Sequence, residues 1–324
     1  MAGREAQAQT ALITGASGFV GRHLIAELTR ETDWTVVGLA RRSSRFHSDV
    51  RVVSCDLRNR DLVDQVLERY RPQLIFHLAA QSYVPRSSAD PAGTLMNNIT
   101  SQVNLLEASR ALEPSPRILI VSSGEIYGPV DSDELPITER APFRPQNPYA
   151  VSKATQDLLG YQYHAANDMR IIRARPFNHI GPGQDDRFVV GTFARQVAEV
   201  QLGRIEPTIL TGNLDVRRDF LDVRDVVAAY RLLIRRGREG AAYNVASGRS
   251  VQIGELLRRM IEIAGIRVDV RPDPARMRSV DVPDVVGDAS ALAADTGWSP
   301  QYSLEQTLAD TLKWWRSRLE SGQA

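Results

Sequence analysis

The chain has 324 residues, a mass of 36.0 kDa, 43% hydrophobic and 24% charged residues, and a formal net charge of +1. This is an ordinary globular composition, too large for one minimal core, and its near-neutral balance offers no bulk attraction to nucleic acid or to an anionic membrane. The single cysteine, Cys55, excludes an internal disulfide; the polar opening Met1 to Gln9 lacks the apolar core of a signal peptide, and no apolar run reaches the roughly 18 residues a membrane helix needs, so a cytoplasmic location is expected.

Thr10 to Thr14 reads as a short buried strand, followed by a glycine-rich turn and the helical pattern of Phe19, Val20, Leu24, Ile25 and Leu28. In the turn, Gly15, Gly18 and Gly21 stand three residues apart, with Ser17, Phe19 and Val20 between or beside them. A loop without bulky side chains lets backbone N–H groups and the positive end of a helix approach a pyrophosphate, and the last glycine lets the helix lie close to the sheet. In the strand–turn–helix context, this points to a dinucleotide site more than to a merely tight turn.

Further strands are predicted at Trp34 to Leu39, Arg51 to Ser54, Leu74 to Leu78, Arg117 to Ser122 and Arg170 to Arg173, separated mostly by helical stretches. That alternation predicts an α/β fold with a doubly wound parallel sheet of Rossmann type. After Pro176 the rhythm loosens, with helices predicted over Phe188 to Leu202, Val223 to Arg236 and Ile253 to Ala264. Residues 1–175 are therefore expected to form a dinucleotide-binding domain. Residues 176–324 should form mainly a smaller C-terminal substrate-binding lobe, with some segments returning to the first domain.

The end of the second strand bears on cofactor choice. NAD sites commonly place an acid there for the ribose 2′-OH, whereas this chain reads Ala40-Arg41-Arg42-Ser43-Ser44. The missing acid favours NADPH, with NADH still possible; the alternative is that Arg41 and Arg42 are solvated loop charges. Asp56, before Leu57, either meets the adenine or caps the next turn.

The catalytic signal is Tyr149 with Lys153, four residues apart on one face of a helix that Pro148 is well placed to begin. A neighbouring ammonium is expected to lower the phenol's pKa towards the working pH, as a proton donor to a carbinol oxygen requires. Lysine occurs only at Lys153 and Lys313, the other 38 basic residues being arginine, so a lysine at this position carries weight. Upstream, Ser123 ends a strand where hydroxyls point into the ligand crevice, and it is a candidate to polarise a substrate carbonyl; alternatively it satisfies a local turn. Glu125 is open between general base, partner of a sugar hydroxyl and turn residue.

Together with Gly15-x-x-Gly18-x-x-Gly21, the runs His77-Leu78-Ala79-Ala80, Ser122-Ser123-Gly124-Glu125-Ile126-Tyr127-Gly128 and Asn147-Pro148-Tyr149-Ala150-Val151-Ser152-Lys153 make the chain resemble the extended short-chain dehydrogenase/reductases over nearly its whole length. Arg175 to Gln184 and Arg218 to Asp225 are most similar to the branch of GDP-6-deoxy-4-keto-D-mannose reductases that form GDP-D-rhamnose. The resemblance implies an acid/base pair at Tyr149 and Lys153, a third catalytic position at Ser123 and a fourth at Asn98. It also implies cofactor contacts by Leu57, Leu78, Ala79, Ala80, Tyr149 and Lys153, a substrate-binding Asn178, and Arg218 and Arg278 on the diphosphate of a nucleotide sugar. No metal is implied, and a homodimer is carried over by analogy.

Three readings follow. The first is NAD(P)H-dependent reduction of a 4-keto-6-deoxyhexose. The second is a nucleotide-sugar 4,6-dehydratase or epimerase that recycles tightly held cofactor, with Glu125 as the C5 base. The third, a non-catalytic Rossmann-type binding protein, predicts loss of the Tyr or the Lys, and both are present.

Overall fold

The computed structural model describes residues 9–41, 50–277 and 282–322. β1 (Thr10–Thr14) leads through the glycine turn into α1 (Phe19–Glu31), followed by β2 (Thr35–Ala40), β3 (Arg51–Ser54), α2 (Arg60–Tyr70), β4 (Leu74–His77), α3 (Val84–Ala89) and α4 (Pro91–Arg110). β5 (Arg117–Val121) runs into a 3-10 turn at Gly124–Tyr127, and α5 (Pro148–Asn167) and β6 (Ile171–Pro176) follow a second such turn. Then come β7 (Asn178–Ile180), α6 (Val189–Gln201), β8 (Thr208–Thr211), β9 (Arg217–Asp222), α7 (Val223–Arg236), β10 (Ala242–Val245) and β11 (Ser250–Gln252). α8 (Ile253–Ala264), β12 (Asp269–Pro272), β13 (Asp284–Val285), α9 (Ser290–Thr296) and α10 (Leu304–Glu320) complete the order.

Seven parallel strands form the main sheet in the order β10-β6-β5-β4-β1-β2-β3, the doubly wound arrangement expected. Covered on both faces, its strands are apolar without alternation: Leu12, Ile13, Ile75, Phe76, Ile118, Leu119 and Ile120 are all fully buried. On one face α1 and α7 close over Leu119, Ile172 and Ala174 with Leu24, Leu28, Tyr230 and Leu233. On the other, α2 and α4 supply Val63, Leu67, Leu105 and Leu106 against Leu12, Ile75 and Ile118. A separate cluster joins α6, α8 and α10 through Phe193, Val197, Leu256, Met260 and Leu312, beside a small sheet in which β7, β11 and β13 flank β9.

Predicted and observed boundaries agree closely for the first strands and for the three later helices. Several features were not predicted. β6 runs on to Pro176, and β10 pairs with it from Ala242↔Arg173 to Val245↔Pro176, adding a strand from far along the chain. α10 was also unforeseen. Among the described residues no helix is long and apolar enough to cross a membrane.

Candidate active site

The site lies at the carboxyl ends of β1, β4 and β5, where such sheets bind ligands. Gly15 has φ +72°, and a Cβ on it would stand 3.0 Å from the Ala79 nitrogen; at Gly21 a Cβ would stand 2.3 Å from the Gly15 oxygen. Glycine is thus required by conformation at the first position and by close approach at the last. Gly18 caps α1 and its nitrogen donates to Gly15 O at 3.0 Å, while the Ser17 carbonyl accepts from Arg22 Nε at 3.2 Å. Thr14 Oγ1 accepts from the nitrogens of Leu78 and Ala79, both at 3.1 Å, which ties the ends of β1 and β4 into one floor ahead of Ala80. The first-turn N–H groups of α1, from Phe19 and Val20 onward, have no helical partner, so the residues fit a dinucleotide pyrophosphate. The Phe19 ring stacks on His179 at 6.2 Å, and His23 Nε2 lies 2.8 Å from Pro182 O, which ties the front of α1 to the segment after β7.

At the end of β2, Arg41 is exposed and its carbonyl accepts from Ser54 Oγ at 3.3 Å; Arg42, Ser43 and Ser44 lie outside the described residues. Asp56 accepts from the Arg58 guanidinium and backbone, and the Arg58 bond holds its carboxyl below the usual carboxylate range despite burial. Leu57 is buried, with its carbonyl on Asn104 Nδ2 at 2.9 Å.

Asn147 caps α5, its Oδ1 accepting from the Ala150 nitrogen at 2.8 Å, and Pro148 opens the helix as predicted. The Tyr149 phenol lies near enough to the Ser123 hydroxyl for Ser123 to pull its pKa down. Ser123 also caps the 3-10 turn, its Oγ accepting from the Glu125 nitrogen at 3.1 Å, which is the local-turn role expected for it.

The expected lowering of the tyrosine pKa is not observed. Burial pushes the Tyr149 phenol up to about 12, with the Glu125 charge acting the same way and the Ser123 bond opposing. Lys153 is engaged elsewhere: its ammonium is turned to Val121 O at 2.5 Å and Gln156 Oε1 at 2.9 Å, and burial brings it down to about 7 against the pull of Asp157. The phenol is therefore held protonated at neutral pH, the state a proton donor needs.

Glu125 is exposed and accepts from Asn147 Nδ2 at 3.2 Å. Beside it, a Cβ on Gly124 would stand 3.2 Å from the buried Phe177 ring, which fills that space. Asn98 acts as a clamp: Oδ1 accepts from the Gln81 nitrogen at 2.7 Å, and Nδ2 donates to Gln81 O at 3.1 Å and to Ser152 Oγ at 2.8 Å. Ser152 in turn donates to Tyr149 O at 2.7 Å, so Asn98 reaches the tyrosine only through α5 backbone.

Asn178 on β7 pairs in register with Phe220 on β9, two residues beyond Arg218. Arg218 Nη1 donates to Val282 O at 2.6 Å and Arg217 O at 2.8 Å. Arg278 lies outside the described residues.

The sequence reading missed four buried polar residues: Thr14, His77, Gln156 and Asp157. The available signal was a polar residue ending an otherwise apolar strand, at Thr14 and His77, and polar positions three and four residues past Lys153 on the same helix face. Asp157 is fully buried between Arg173, at 2.7 Å, and Arg175, at 2.9 Å to each carboxylate oxygen, which locks α5 onto β6.

A parallel sheet of this strand order, a glycine turn of this spacing, and Ser123, Tyr149 and Lys153 at its carboxyl edge define an extended short-chain dehydrogenase/reductase. The family profile described as GDP-mannose 4,6 dehydratase matches residues 12–311, and the chain belongs to that family. The GDP-6-deoxy-D-mannose reductase of Pseudomonas aeruginosa is 40% identical over 312 residues, 96% of this chain and 98% of that one. A GDP-mannose 4,6-dehydratase of Yersinia enterocolitica is 29% identical over 93% of this chain and 92% of its own length. Among solved structures, RMD from Pseudomonas aeruginosa complexed with NADPH superposes with a TM-score of 0.86 at 40% identity, covering 96% of this chain and 99% of that one. The UDP-glucose 4-epimerase of Thermotoga maritima with UDP-glucose also gives 0.86, at 25% identity and over 96% and 100% of the two chains.

Proposed function

We propose that this protein is a nucleotide-sugar 4-reductase that converts GDP-4-keto-6-deoxy-D-mannose to GDP-D-rhamnose with NADPH. The observation that carries this reading is the placement of Tyr149 beside Ser123 at the carboxyl edge of β5, with burial favouring the protonated phenol and Lys153 one turn further along the same helix. Its likeness to the Pseudomonas reductase supports the choice of sugar and nucleotide. The dinucleotide would be held by Gly15, Ser17, Gly18 and Gly21 at the pyrophosphate, by Leu78, Ala79 and Ala80 along the floor, and by Lys153 at the nicotinamide ribose. When bound, NADPH supplies the hydride for C4. Tyr149 gives its proton to the C4 oxygen as negative charge forms there, and the Ser123 hydroxyl polarises the carbonyl. Asn178, Arg218 and Arg278 hold the nucleotide sugar, the two guanidiniums on the diphosphate.

Glu125 separates this reaction from dehydration, which needs a base at C5. In the reductase reading Glu125 orients a hydroxyl, and with Phe177 packed over Gly124 no second acid stands next to it in the turn. Glu125→Gln is therefore expected to keep turnover within about tenfold of the parent, whereas loss of a required base costs about 10²-fold or more. The decisive experiment uses NADPH deuterated on the transferred face. A reductase places the label at sugar C4 and consumes cofactor stoichiometrically. Turnover of GDP-mannose without net cofactor loss, with the sugar's own C4 hydrogen arriving at C6, would establish the dehydratase instead.

For cofactor choice, Arg41→Ala is expected to weaken NADPH about tenfold and NADH within twofold, because a charge-assisted bond to the 2′-phosphate is worth roughly 1.5–3 kcal/mol when well formed. Fluorescence titration with both cofactors checks this, and equal losses remove Arg41 from selectivity. For assembly, the reading includes a homodimer through α4 and α5, supported by the exposed Met96, Leu158 and Tyr161 on those helices. Light scattering that returns the single-chain mass would exclude the dimer.

A further inference from the structure

Beneath Lys153 lies a buried row of polar side chains that the proposed reaction does not call upon. Gln156, fully buried on the next turn of α5, accepts from Lys153 Nζ through Oε1 at 2.9 Å. Its Nε2 donates to Asn98 O at 3.0 Å and stands 3.4 Å from His77 Nε2. Its backbone carbonyl accepts from Gln102 Nε2 at 2.7 Å, which fixes the helix at this point. His77 Nδ1 in turn lies 2.9 Å from Thr14 Oγ1, the hydroxyl that holds the Leu78 and Ala79 nitrogens. A continuous row thus runs from the ammonium to the floor of the cofactor turn.

The amide has only one workable orientation. Asn98 O can only accept, so the amide nitrogen must face it and Oε1 is left facing the ammonium. Rotated the other way, the side chain would set oxygen against oxygen at one end and two donors against each other at the other.

We propose that Gln156 is a positioning residue for Lys153: its amide, oriented by Asn98 O and abutting His77, sets where the ammonium stands between α5 and the end of β5. This rests on the reading of Tyr149 and Lys153 as the reacting pair, and Gln156 itself touches no reacting atom. Two of the three ammonium donors are taken by Gln156 Oε1 and Val121 O, so one remains for a ligand. The charged and titratable groups felt at Lys153 are Asp157 on its own helix, which favours the ammonium, and His77 on β4, which burial and the lysine charge hold neutral, down to about 3. A neutral His77 places no second cation at the far end of the amide, so the Gln156 oxygen is the adjustable contact.

The test uses the unusual lysine count. Protein grown with 13Cε-lysine carries two labelled side chains, Lys153 and the exposed Lys313, which serves as an internal control. In the unmodified protein the Lys153 signal is expected to titrate near about 7, well below Lys313. Gln156→Glu, of nearly the same shape, should raise that midpoint by about one pH unit or more, since a carboxylate beside an ammonium favours the charged form. Gln156→Met, of similar length and without the acceptor, should cut kcat about tenfold, the cost of roughly one hydrogen bond to a charged group, with KM for the keto sugar near the parent value. A Lys153 midpoint within about 0.3 pH unit of the parent in Gln156→Glu would overturn the proposal, as would a parent Lys153 that titrates together with Lys313. If Gln156→Met does not fold, the parent titration and Gln156→Glu still decide. The titration needs no substrate, so failure of the reductase reading and failure of this one are seen separately.

Discussion

Tyr149→Phe is expected to lower turnover by on the order of 10²- to 10⁴-fold, the range lost when a positioned general acid is removed. The loss follows from the inventory of donors around the C4 oxygen. Burial favours the protonated Tyr149 phenol, and the Ser123 hydroxyl is its polar neighbour. Ser123 can still polarise a carbonyl after the substitution, but its own oxygen is also engaged by the Glu125 nitrogen, and a serine hydroxyl is a far weaker acid than a phenol. Phenylalanine keeps the ring, and Asn98 still fixes this turn of α5 through Ser152 and the residue-149 carbonyl. NADPH affinity should therefore stay within about threefold. Stopped-flow loss of NADPH absorbance gives the rate and fluorescence titration gives the affinity. Near-parental turnover would exclude Tyr149 as the donor, and a parallel collapse of affinity would assign it to binding.

Asp157→Ala is expected to destabilise the fold by about 3–5 kcal/mol, the range for breaking a buried ion pair from one side. Asp157 is fully buried, and Arg173 and Arg175 are 11% and 4% exposed, so removing the carboxylate leaves two guanidiniums facing each other out of water. Burial alone pushes the Asp157 carboxyl up, and the bonds and charges of Arg175 and Arg173 outweigh it, holding the group below the usual carboxylate range. The sign of the pH effect follows: this stabilisation is present above the unfolded carboxyl pKa and is lost as pH falls through the lower folded value. Asp157→Asn keeps an acceptor and should cost less than Asp157→Ala. Denaturant unfolding at neutral pH and at about pH 4 checks both statements. A loss below about 1 kcal/mol, typical of exposed pairs, would show that the two arginines find other partners.

The parts of this molecule that were legible in the sequence are those set by local pattern. The strand, turn and helix from Thr10 to Glu31 carry their own signals in apolar runs and glycine spacing, and Tyr149 and Lys153 share a helix face whatever the rest of the fold does. β10 was not legible: Ala242 to Val245 is a four-residue stretch, interrupted by the polar Asn244, whose place beside β6 is decided by pairing across about seventy residues. The direction of the Lys153 side chain was equally hidden, because its acceptors, Val121 O and Gln156 Oε1, belong to a strand end and to a helix position that carries no signal of its own. Burial, which pushes the phenol pKa up, is the main reason it moved opposite to expectation. Phe177 over Gly124 is a third case, in which a glycine in a turn is explained by a ring reaching it from the far end of β6.

The late arrival of β10 and α7 has a consequence for synthesis. Six of the seven sheet strands are complete once Pro176 has left the ribosome, yet the face formed by Leu119, Ile172 and Ala174 is covered by Tyr230 and Leu233, and the sheet edge at β6 is closed only by Val245. At about 5–20 residues per second, the nascent chain spends several seconds with that apolar face and a full-length strand edge open to solvent. Such a surface is what holding chaperones bind and what neighbouring nascent chains can pair with. Ribosome-bound chains long enough to have cleared Pro176 but not Val245 from the exit tunnel should accordingly be protease-sensitive and chaperone-dependent, and chains extended until Val245 is clear of the tunnel should be protected, so this nucleotide-binding sheet is finished after synthesis has moved well into the residues that follow it.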